Sequence, residues 1–237
     1  MNDPVNDPRT EGRERRRKLY GRRKGPRLSE RQLGLRRTLL GELGFAPGSD
    51  PLAAFANTVQ VSEVWLEIGF GAGEHLYALA KANPEIGLIG AEPYEAGVAK
   101  LLTKLADAPL NNVRIYEGDG REILEKLPEA SLGRFFLLFP DPWPKTRHHK
   151  RRFLQMETLD LLAKVLKPGA ELRFATDDKS HLPYALERLM AHPAFTWTAA
   201  GPKDWKIRPE GWPLTRYEAK AIKGPPTYLR FVRKGKI

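Results

Sequence analysis

The sequence has no cysteine among its 237 residues, which excludes disulfide bonds, thiolate zinc sites and cysteine nucleophiles. It also lacks long hydrophobic runs: its uninterrupted apolar stretches, such as residues 135–139, are far below the roughly 18 residues that a membrane-spanning helix needs. The first residues are polar and charged, without the apolar core of a secretory signal. We therefore predict a cytoplasmic protein that does not associate with membranes.

Positive charge is concentrated at the front of the chain. The net charge is +11, and residues 1–40 hold 13 Lys or Arg against 5 Asp or Glu, which leaves +3 for the rest. Such a concentration attracts polyanions through phosphate contacts and counterion release. RNA is the partner that we predict, and a merely solubilising disordered tail is the alternative.

Length and composition fit one globular domain. Hydrophobic residues make up 41% and charged residues 29% of the sequence, which is ordinary for a soluble fold. A chain of 237 residues is short for two domains of ordinary size. Residues 1–27 are rich in Arg, Lys, Gly, Pro and Asp and have few apolar positions. We predict a flexible basic tail over residues 1–27 and a single domain over residues 28–237.

From residue 61 onward, apolar runs typical of buried strands alternate with segments typical of amphipathic helices. The predicted strands cover residues 64–68, 86–91, 113–116, 135–139 and 172–175, with later candidates at 195–198 and 228–232. The predicted helices cover residues 74–81, 94–105, 153–166 and 182–190, and an earlier helix begins after Ser29 and ends near Gly41 or Gly44. This order predicts a doubly wound, Rossmann-like α/β sheet that is mostly parallel, with one antiparallel strand near the C-terminus.

A glycine-rich turn follows the first predicted strand and opens the next helix. Gly69, Gly71 and Gly73 let the backbone turn sharply and approach a ligand where a helix offers unpaired amide groups. The full dinucleotide pattern G-x-G-x-x-G is not satisfied, because Glu74 stands at its last position. The turn predicts a cofactor site, and an ordinary tight loop is the alternative.

An acidic residue stands near the end of each of the first three predicted strands: Glu67, Glu92 and Asp119. Because the carboxyl ends of parallel strands share one edge of the sheet, we expect these side chains to converge on one crevice. An acid about 20 residues past a glycine turn suits the hydroxyls of a ribose, and an acid after the third strand suits the amine of an adenine. Carboxylates favour a cationic sulfonium cofactor over a pyrophosphate one. A helix cap or a solvated loop is the alternative for each acid alone.

The fourth predicted strand leads into Pro-Asp-Pro-Trp-Pro-Lys at residues 140–145. Prolines on both sides of Asp141 restrict the loop and remove backbone donors. They hold a carboxylate and the ring of Trp143 rigidly at the sheet edge, which suits a planar base.

A basic cluster without a single acid follows this loop. Its members are Arg147, His148, His149, Lys150, Arg151 and Arg152. Cations at the start of the predicted helix oppose the helix dipole, so phosphate binding explains them better than local stability does. A solvated charged face is the alternative. Two adjacent histidines without further spaced ligands predict no metal site.

Two later groups carry side chains that suit a guanine. Asp177 follows the fifth predicted strand, and the group nearer the end of the chain consists of Thr215, Arg216, Tyr217 and Glu218. Carboxylates such as Asp141, Asp177 or Glu218 can accept the N1 and N2 hydrogens of guanine while a hydroxyl or a cation meets O6. For the later group, ordinary surface is the alternative.

At these residues the sequence resembles the bacterial tRNA (guanine-N7)-methyltransferase family, within the class I S-adenosylmethionine-dependent methyltransferases. The similarity covers roughly residues 20–232, and its most specific element is the 140–145 segment. The glycine turn is shared by many methyltransferases. The resemblance implies transfer of the methyl group of S-adenosylmethionine to N7 of a guanosine in the tRNA variable loop.

The resemblance also assigns roles to residues. Those assigned to S-adenosylmethionine are Glu67, Glu92, Asp119 and Asp141. Those assigned to the substrate are Lys145, Asp177 and residues 215–218, and those assigned to RNA are residues 147–152. We expect a monomer or homodimer without an obligate protein partner. The alternative functions are a non-catalytic RNA-binding protein with a Rossmann-like body and a nucleotide-dependent dehydrogenase.

Asp141 is the residue to which we assign catalysis. Guanine N7 has an exposed lone pair and carries no proton at neutral pH, so no base is needed to activate it. We therefore expect Asp141 to position the base and to offset the positive charge that develops on its ring.

Overall fold

A computed structural model of the chain describes residues 20–21, 23–220 and 224–235. Most of the predicted basic tail, residues 1–19 and 22, lies outside the described residues, as do residues 221–223 and 236–237. Within the described part of the chain, no helix is long and apolar enough to cross a membrane.

In the described residues, seven strands form one sheet. In chain order, β1 to β7 are Glu63–Ile68, Ile86–Ala91, Val113–Tyr116, Leu132–Leu138, Leu166–Thr176, Phe195–Trp197 and Thr227–Arg233. Their spatial order is β3-β2-β1-β4-β5-β7-β6. The pairs from β3 to β5 are parallel, whereas β7 runs antiparallel to both β5 and β6. The predicted doubly wound sheet with one antiparallel strand near the C-terminus is confirmed.

The α-helices of the described residues lie mostly between the strands. In chain order, α1 to α9 are Glu30–Arg37, Leu39–Leu43, Glu74–Ala82, Glu95–Asp107, Gly120–Lys126, Met156–Val165, His181–Ala191, Lys203–Lys206 and Arg216–Lys220. Two 3-10 helices cover Ala53–Phe55 and Thr146–Arg151. Ser29 caps α1 as predicted, in a capping box with Gln32. The predicted single helix is divided at Thr38 into α1 and α2.

Two predicted boundaries next to the site are wrong. The fourth strand ends at Leu138 rather than at residue 139, because Phe139 has a φ of 50°, a left-handed conformation that no strand accommodates. The helix predicted over residues 153–166 begins only at Met156. The basic cluster before it forms its own 3-10 helix, Thr146–Arg151, and therefore does not lie at the start of α6.

The core lies on both faces of the sheet. Neighbouring residues of a strand point to opposite faces, so Phe135 packs into one hydrophobic cluster and Phe136 into the other. Both rings are fully buried, and burial of each contributes about 1.5–3 kcal/mol. Strands covered on both faces leave only their carboxyl ends free to present side chains to a ligand.

Candidate active site

A cavity of about 280 Å³ opens where the carboxyl ends of β1 and β4 meet. The chain crosses from β1 to β2 and β3 on one side and then to β4 on the other, so this is the topological switch point, where doubly wound sheets bind ligands. The cavity is lined by carboxylates, glycines and aromatic rings. They include Gly69, Glu92, Asp119, Phe139, Asp141 and Trp143.

The glycine turn adopts backbone conformations in which larger residues are strained. Gly69, Gly71 and Gly73 have φ values of 78°, 58° and 73°, in the left-handed region that favours glycine. Sequence reasoning missed a fourth glycine, Gly97 in α4: a Cβ there would lie 2.3 Å from the carbonyl oxygen of Gly71. The first turn of α4 thus packs closely against the glycine turn. This contact joins residues that are distant in sequence, so no local motif reveals it.

Glu92 also holds the glycine turn in place, through a hydrogen bond to its backbone. Its Oε2 accepts a hydrogen bond from the backbone N–H of Gly71 at 2.7 Å, and its Oε1 accepts one from that of Tyr94 at 3.0 Å. Burial raises the pKa of Glu92, the two backbone hydrogen bonds oppose the rise, and the nearby charges of Asp141 and Glu67 add to it. The site therefore contains a desolvated carboxylate close to other acids.

Glu92→Gln is expected to remove a pH dependence of stability. Because the folded-state pKa of Glu92 is raised, its carboxyl contributes stability that is present below the ordinary value of 4.5 and is lost as the pH rises through the folded pKa. Glutamine does not ionise, so the variant should not lose this stability. The difference between the melting temperatures of variant and wild type should therefore shift in favour of the variant as the pH rises. Calorimetry between about pH 4 and pH 8 measures the difference, and parallel curves would contradict the assignment.

Glu67 does not face the cavity, contrary to the expectation that all the strand-end acids converge. It is 2% exposed, and its Oε2 lies 2.8 Å from Nδ1 of His75 in α3. His75 in turn packs against Phe136 and Trp212, with ring centroids 5.1 and 4.8 Å apart. Alternation along β1 places Glu67 on the face of the sheet that packs against α3, and its charge contributes to the raised pKa of Glu92.

Asp119 does line the cavity, and it is already held by a neighbour. Its side chain caps α5 by accepting from the backbone N–H of Arg121 at 3.1 Å. The guanidinium of Arg121 binds the same carboxylate in a bidentate manner, with Nε–Oδ1 at 2.9 Å and Nη2–Oδ2 at 2.6 Å. Sequence reasoning missed both α5 and Arg121, although an acid two residues before an arginine was a usable signal.

Asp141 projects from a strained loop at the cavity. Phe139 and Trp143, two residues away on each side, have φ values of 50° and 44°, conformations that cost aromatic residues energy and that persist only where the surrounding structure holds them. Asp141 is exposed, and no donor of the described residues hydrogen-bonds to its carboxylate. The backbone of Gly21 approaches it, since a Cβ there would lie 3.6 Å from Oδ2. A carboxylate with free acceptor positions thus stands at the cavity wall.

Two aromatic rings and a guanidinium form the cavity wall beside Asp141. The Cζ atom of Arg151 lies 4.5 Å from the ring centroid of Tyr20 and 4.9 Å from that of Trp143. The two rings contact each other edge to face at 6.2 Å. Such cation–π contacts hold flat groups in place. The end of the predicted tail therefore contributes a side chain to the cavity, which the sequence did not predict.

The basic cluster divides into exposed and structural members. Arg147 and Lys150 are exposed, as RNA contacts require. Arg152, predicted to bind RNA, is 1% exposed, and its guanidinium donates to the carbonyl oxygen of Pro142 at 2.6 Å and to the hydroxyl of Ser180 at 3.2 Å. Burial turns this cation inward, where it fixes the 140–145 loop instead of facing solvent.

The two histidines of the cluster are half-buried. Partial desolvation, and then the cations on each side, lower the pKa of His148. The carbonyl oxygen of His149 accepts from the backbone N–H of Arg152 and from the side chain of Gln155. Within the described part of the chain, no three potential ligands cluster as a metal site would require.

The late group lies beside the cavity, with residues 216–218 in α9 and Thr215 directly before it. Tyr217 packs against Phe139 with ring centroids 5.2 Å apart. Glu218 is buried and accepts from the hydroxyl of Tyr228 at 2.5 Å and from that of Thr215 at 3.1 Å, so its carboxylate anchors α9. Of the other predicted substrate residues, Lys145 is exposed just before the 3-10 helix, and Asp177 is buried just after β5.

Comparison with known proteins assigns this fold to a class. Residues 62–228 match the family model described as "Putative methyltransferase". Similar solved structures include the 16S rRNA methyltransferase KamB, with a TM-score of 0.55, 19% identity and coverage of 77% of this chain and 94% of that one. A 16S rRNA (adenine(1408)-N(1))-methyltransferase from Catenulisporales acidiphilia has a TM-score of 0.53, with 16% identity and coverage of 82% and 98%. The protein is a methyltransferase with a Rossmann-like fold.

Sequence relatives narrow the class. The tRNA (guanine-N(7)-)-methyltransferase of Rhodospirillum rubrum is 46% identical, over 92% of this chain and 88% of the relative. That of Azorhizobium caulinodans is 48% identical, over 91% of this chain and 94% of the relative. The chain belongs to the tRNA (guanine-N(7)-)-methyltransferase family.

Proposed function

We propose that this protein transfers the methyl group of S-adenosylmethionine to N7 of a guanosine in the variable loop of tRNA. The observation that carries the proposal is Asp141, an exposed carboxylate without a hydrogen-bond partner in the described structure, which lies beside the aromatic wall and near Glu92. Family membership supports the substrate class. We propose the cytoplasm as its location, a single catalytic domain over residues 28–237 with a basic tail before it, and a monomer or homodimer without an obligate protein partner.

The residues of the cavity fit S-adenosylmethionine. Glycines at 69, 71 and 73 keep Cβ atoms away from a ligand at the turn. Glu92 has lone pairs left to accept from ribose hydroxyls, and Asp119 can accept from an adenine amine, with Arg121 fixing its orientation. When bound, S-adenosylmethionine supplies an electrophilic methyl group on a positively charged sulfur. Glu67 acts indirectly in this proposal, through its charge and its contact with His75.

Asp141 acts on the base by position and charge. Since N7 needs no deprotonation, alignment of the guanine is the main task, and fixed alignment is worth several kcal/mol. The free acceptor positions of Asp141 suit the N1 and N2 hydrogens of guanine or the positive charge that grows on the ring. Trp143, held by Tyr20 and Arg151, offers a flat surface on which a base can stack.

Exposed cations of the cluster, Arg147 and Lys150, and the basic tail contact the RNA backbone in this proposal.

Lys150→Ala is expected to weaken tRNA binding at physiological salt and to lower the magnitude of the slope of log K against log salt by about one. Filter binding at several salt concentrations measures this slope. The matched control is Lys81→Ala, an exposed lysine at the end of α3, which should leave the slope unchanged. Equal slopes for Lys150→Ala and wild type would remove Lys150 from the RNA contact surface.

One assay tests the function as a whole. The protein is incubated with methyl-labelled S-adenosylmethionine and unmodified tRNA, and the labelled nucleoside is then identified and located in the RNA. The expected result is 7-methylguanosine in the variable loop. Binding of tRNA without incorporation of label would instead indicate a non-catalytic RNA-binding protein, and label on another atom or base would refute the proposed specificity.

A further inference from the structure

Glu74 is the residue that stands at the last glycine position of the dinucleotide pattern, and it does not line the cavity. It is the first residue of α3, directly after Gly73 of the glycine turn. An acid at this position is favourable to the helix dipole wherever its carboxylate points. Its carboxylate here points at a distant segment, so the dipole alone does not explain it.

That segment is α9. Oε2 of Glu74 accepts a hydrogen bond from the backbone N–H of Arg216 at 2.7 Å, across 142 positions of sequence. Oε1 lies 3.4 Å from Nε of the same arginine. The Arg216 side chain is 78% exposed and that of Glu74 only 24%, so the ion pair is screened. The hydrogen bond to the backbone is therefore the stronger link.

A chain of contacts leads from this link to Asp141. Tyr217 follows Arg216 and packs on Phe139, the residue with left-handed φ that precedes Asp141 by two positions. A shift of the first turn of α9 would thus move the ring that covers Phe139. Glu74 joins the end of the glycine turn to the loop that carries the catalytic carboxylate.

A second anchor keeps the same segment in place without Glu74. Trp212 packs against His75 at 4.8 Å and against Tyr228 at 5.9 Å, and Tyr228 donates to Glu218. These contacts lie on the core side of the segment. Removal of Glu74 should therefore free the start of α9 without unfolding the segment.

We infer that Glu74 is a positioning residue that couples the cofactor site to the RNA site. The inference rests on the proposed function: a ligand that orders the glycine turn fixes Glu74, Glu74 fixes the start of α9, and α9 then presents Tyr217 and the Asp141 loop in the geometry that guanosine needs. Cofactor and tRNA should consequently strengthen each other's binding by the same factor.

The experiment is a thermodynamic cycle in which no methyl transfer occurs. The affinity for unmodified tRNA is measured with and without saturating S-adenosylhomocysteine, for the wild type, Glu74→Ala and Glu74→Gln. Wild type should bind tRNA at least about fivefold more tightly with the nucleoside present. In Glu74→Ala this ratio should fall to about one, while affinity for S-adenosylhomocysteine without RNA stays within about twofold. Glu74→Gln keeps an acceptor for the Arg216 N–H and should retain part of the ratio.

The matched control is Glu85→Gln, the same substitution at an exposed residue near the start of β2, which should leave the ratio at the wild-type value. A merely structural role would lower the melting temperature of Glu74→Ala and leave the ratio intact. A wild-type ratio of one, an unchanged ratio in Glu74→Ala, or loss of nucleoside affinity in the absence of RNA would each overturn the inference. Failure of the proposed function is separate, because it shows as wild-type protein that forms no 7-methylguanosine.

Discussion

Asp141→Asn should lower the turnover number for tRNA methylation by about 10²–10³-fold, the usual effect of removing one group that stabilises charge in a transition state. The reason is geometric as well as electrostatic. Asparagine has nearly the same shape but no charge to offset the cationic ring of the product, and its amide presents donors where the carboxylate presents only acceptors. Because the proposed role is not proton abstraction, the defect should persist at high pH.

Single-turnover kinetics separate this loss from a loss of binding. Affinity for S-adenosylmethionine, measured by calorimetry, should change by no more than a few-fold, since Glu92, Asp119 and the glycine turn remain. Asp107→Asn is a suitable control, because Asp107 is an exposed partner of Arg31 at the end of α4. A turnover number near the wild-type value in Asp141→Asn would remove this residue from the mechanism.

Gly97→Ala should nearly abolish cofactor binding. The new Cβ would lie 2.3 Å from the carbonyl oxygen of Gly71 and 3.1 Å from its carbonyl carbon, so either the turn or α4 must move. Overpacking of this kind costs about 1–3 kcal/mol. If the turn moves, Gly71 also loses its hydrogen bond to Glu92, and the cofactor meets a displaced backbone. We expect affinity for S-adenosylmethionine to fall by at least about 100-fold.

The matched control is Gly34→Ala in α1, where a Cβ would meet nothing within 4 Å. Alanine in the interior of a helix is more stable than glycine by roughly 0.5–1 kcal/mol, so this variant should melt slightly higher and bind the cofactor normally. Titration calorimetry and thermal melting compare the pair. Nearly normal cofactor affinity in Gly97→Ala would show that the first turn of α4 does not hold the glycine turn.

The sheet was predictable because each buried parallel strand is a continuous apolar run, and such runs are visible without knowledge of what they pack against. The edge that carries the site was predictable for a related reason. Parallel connectivity brings the carboxyl ends of strands together, so Glu92, Asp119 and Asp141 had to approach one another. The start of a helix at Ser29 depends on a local capping pattern and was equally predictable from the sequence.

The features that the sequence did not predict depend on contacts between segments that are distant in the chain. Glu67 and Glu92 both lie at strand ends, but only packing decides that one faces His75 and the other the glycine turn. Arg152 belongs to a basic run that reads as surface, yet it is buried against Pro142 and Ser180. Two further features arise only when distant segments meet. They are the left-handed φ of Phe139 and the close approach of Gly97 to Gly71.

The position of β7 has a consequence for how the protein is made. This strand comes last in the chain but lies between β5 and β6, and its Tyr228 holds Glu218 of α9. During synthesis, β1 to β5 can pair before residues 227–233 have left the ribosome, whereas the substrate side of the cavity forms only once these residues are available. A polypeptide released before residue 227 would keep the glycine turn but lack the strand that anchors α9. The substrate side of the cavity therefore forms only after the residues of β7 have been synthesised.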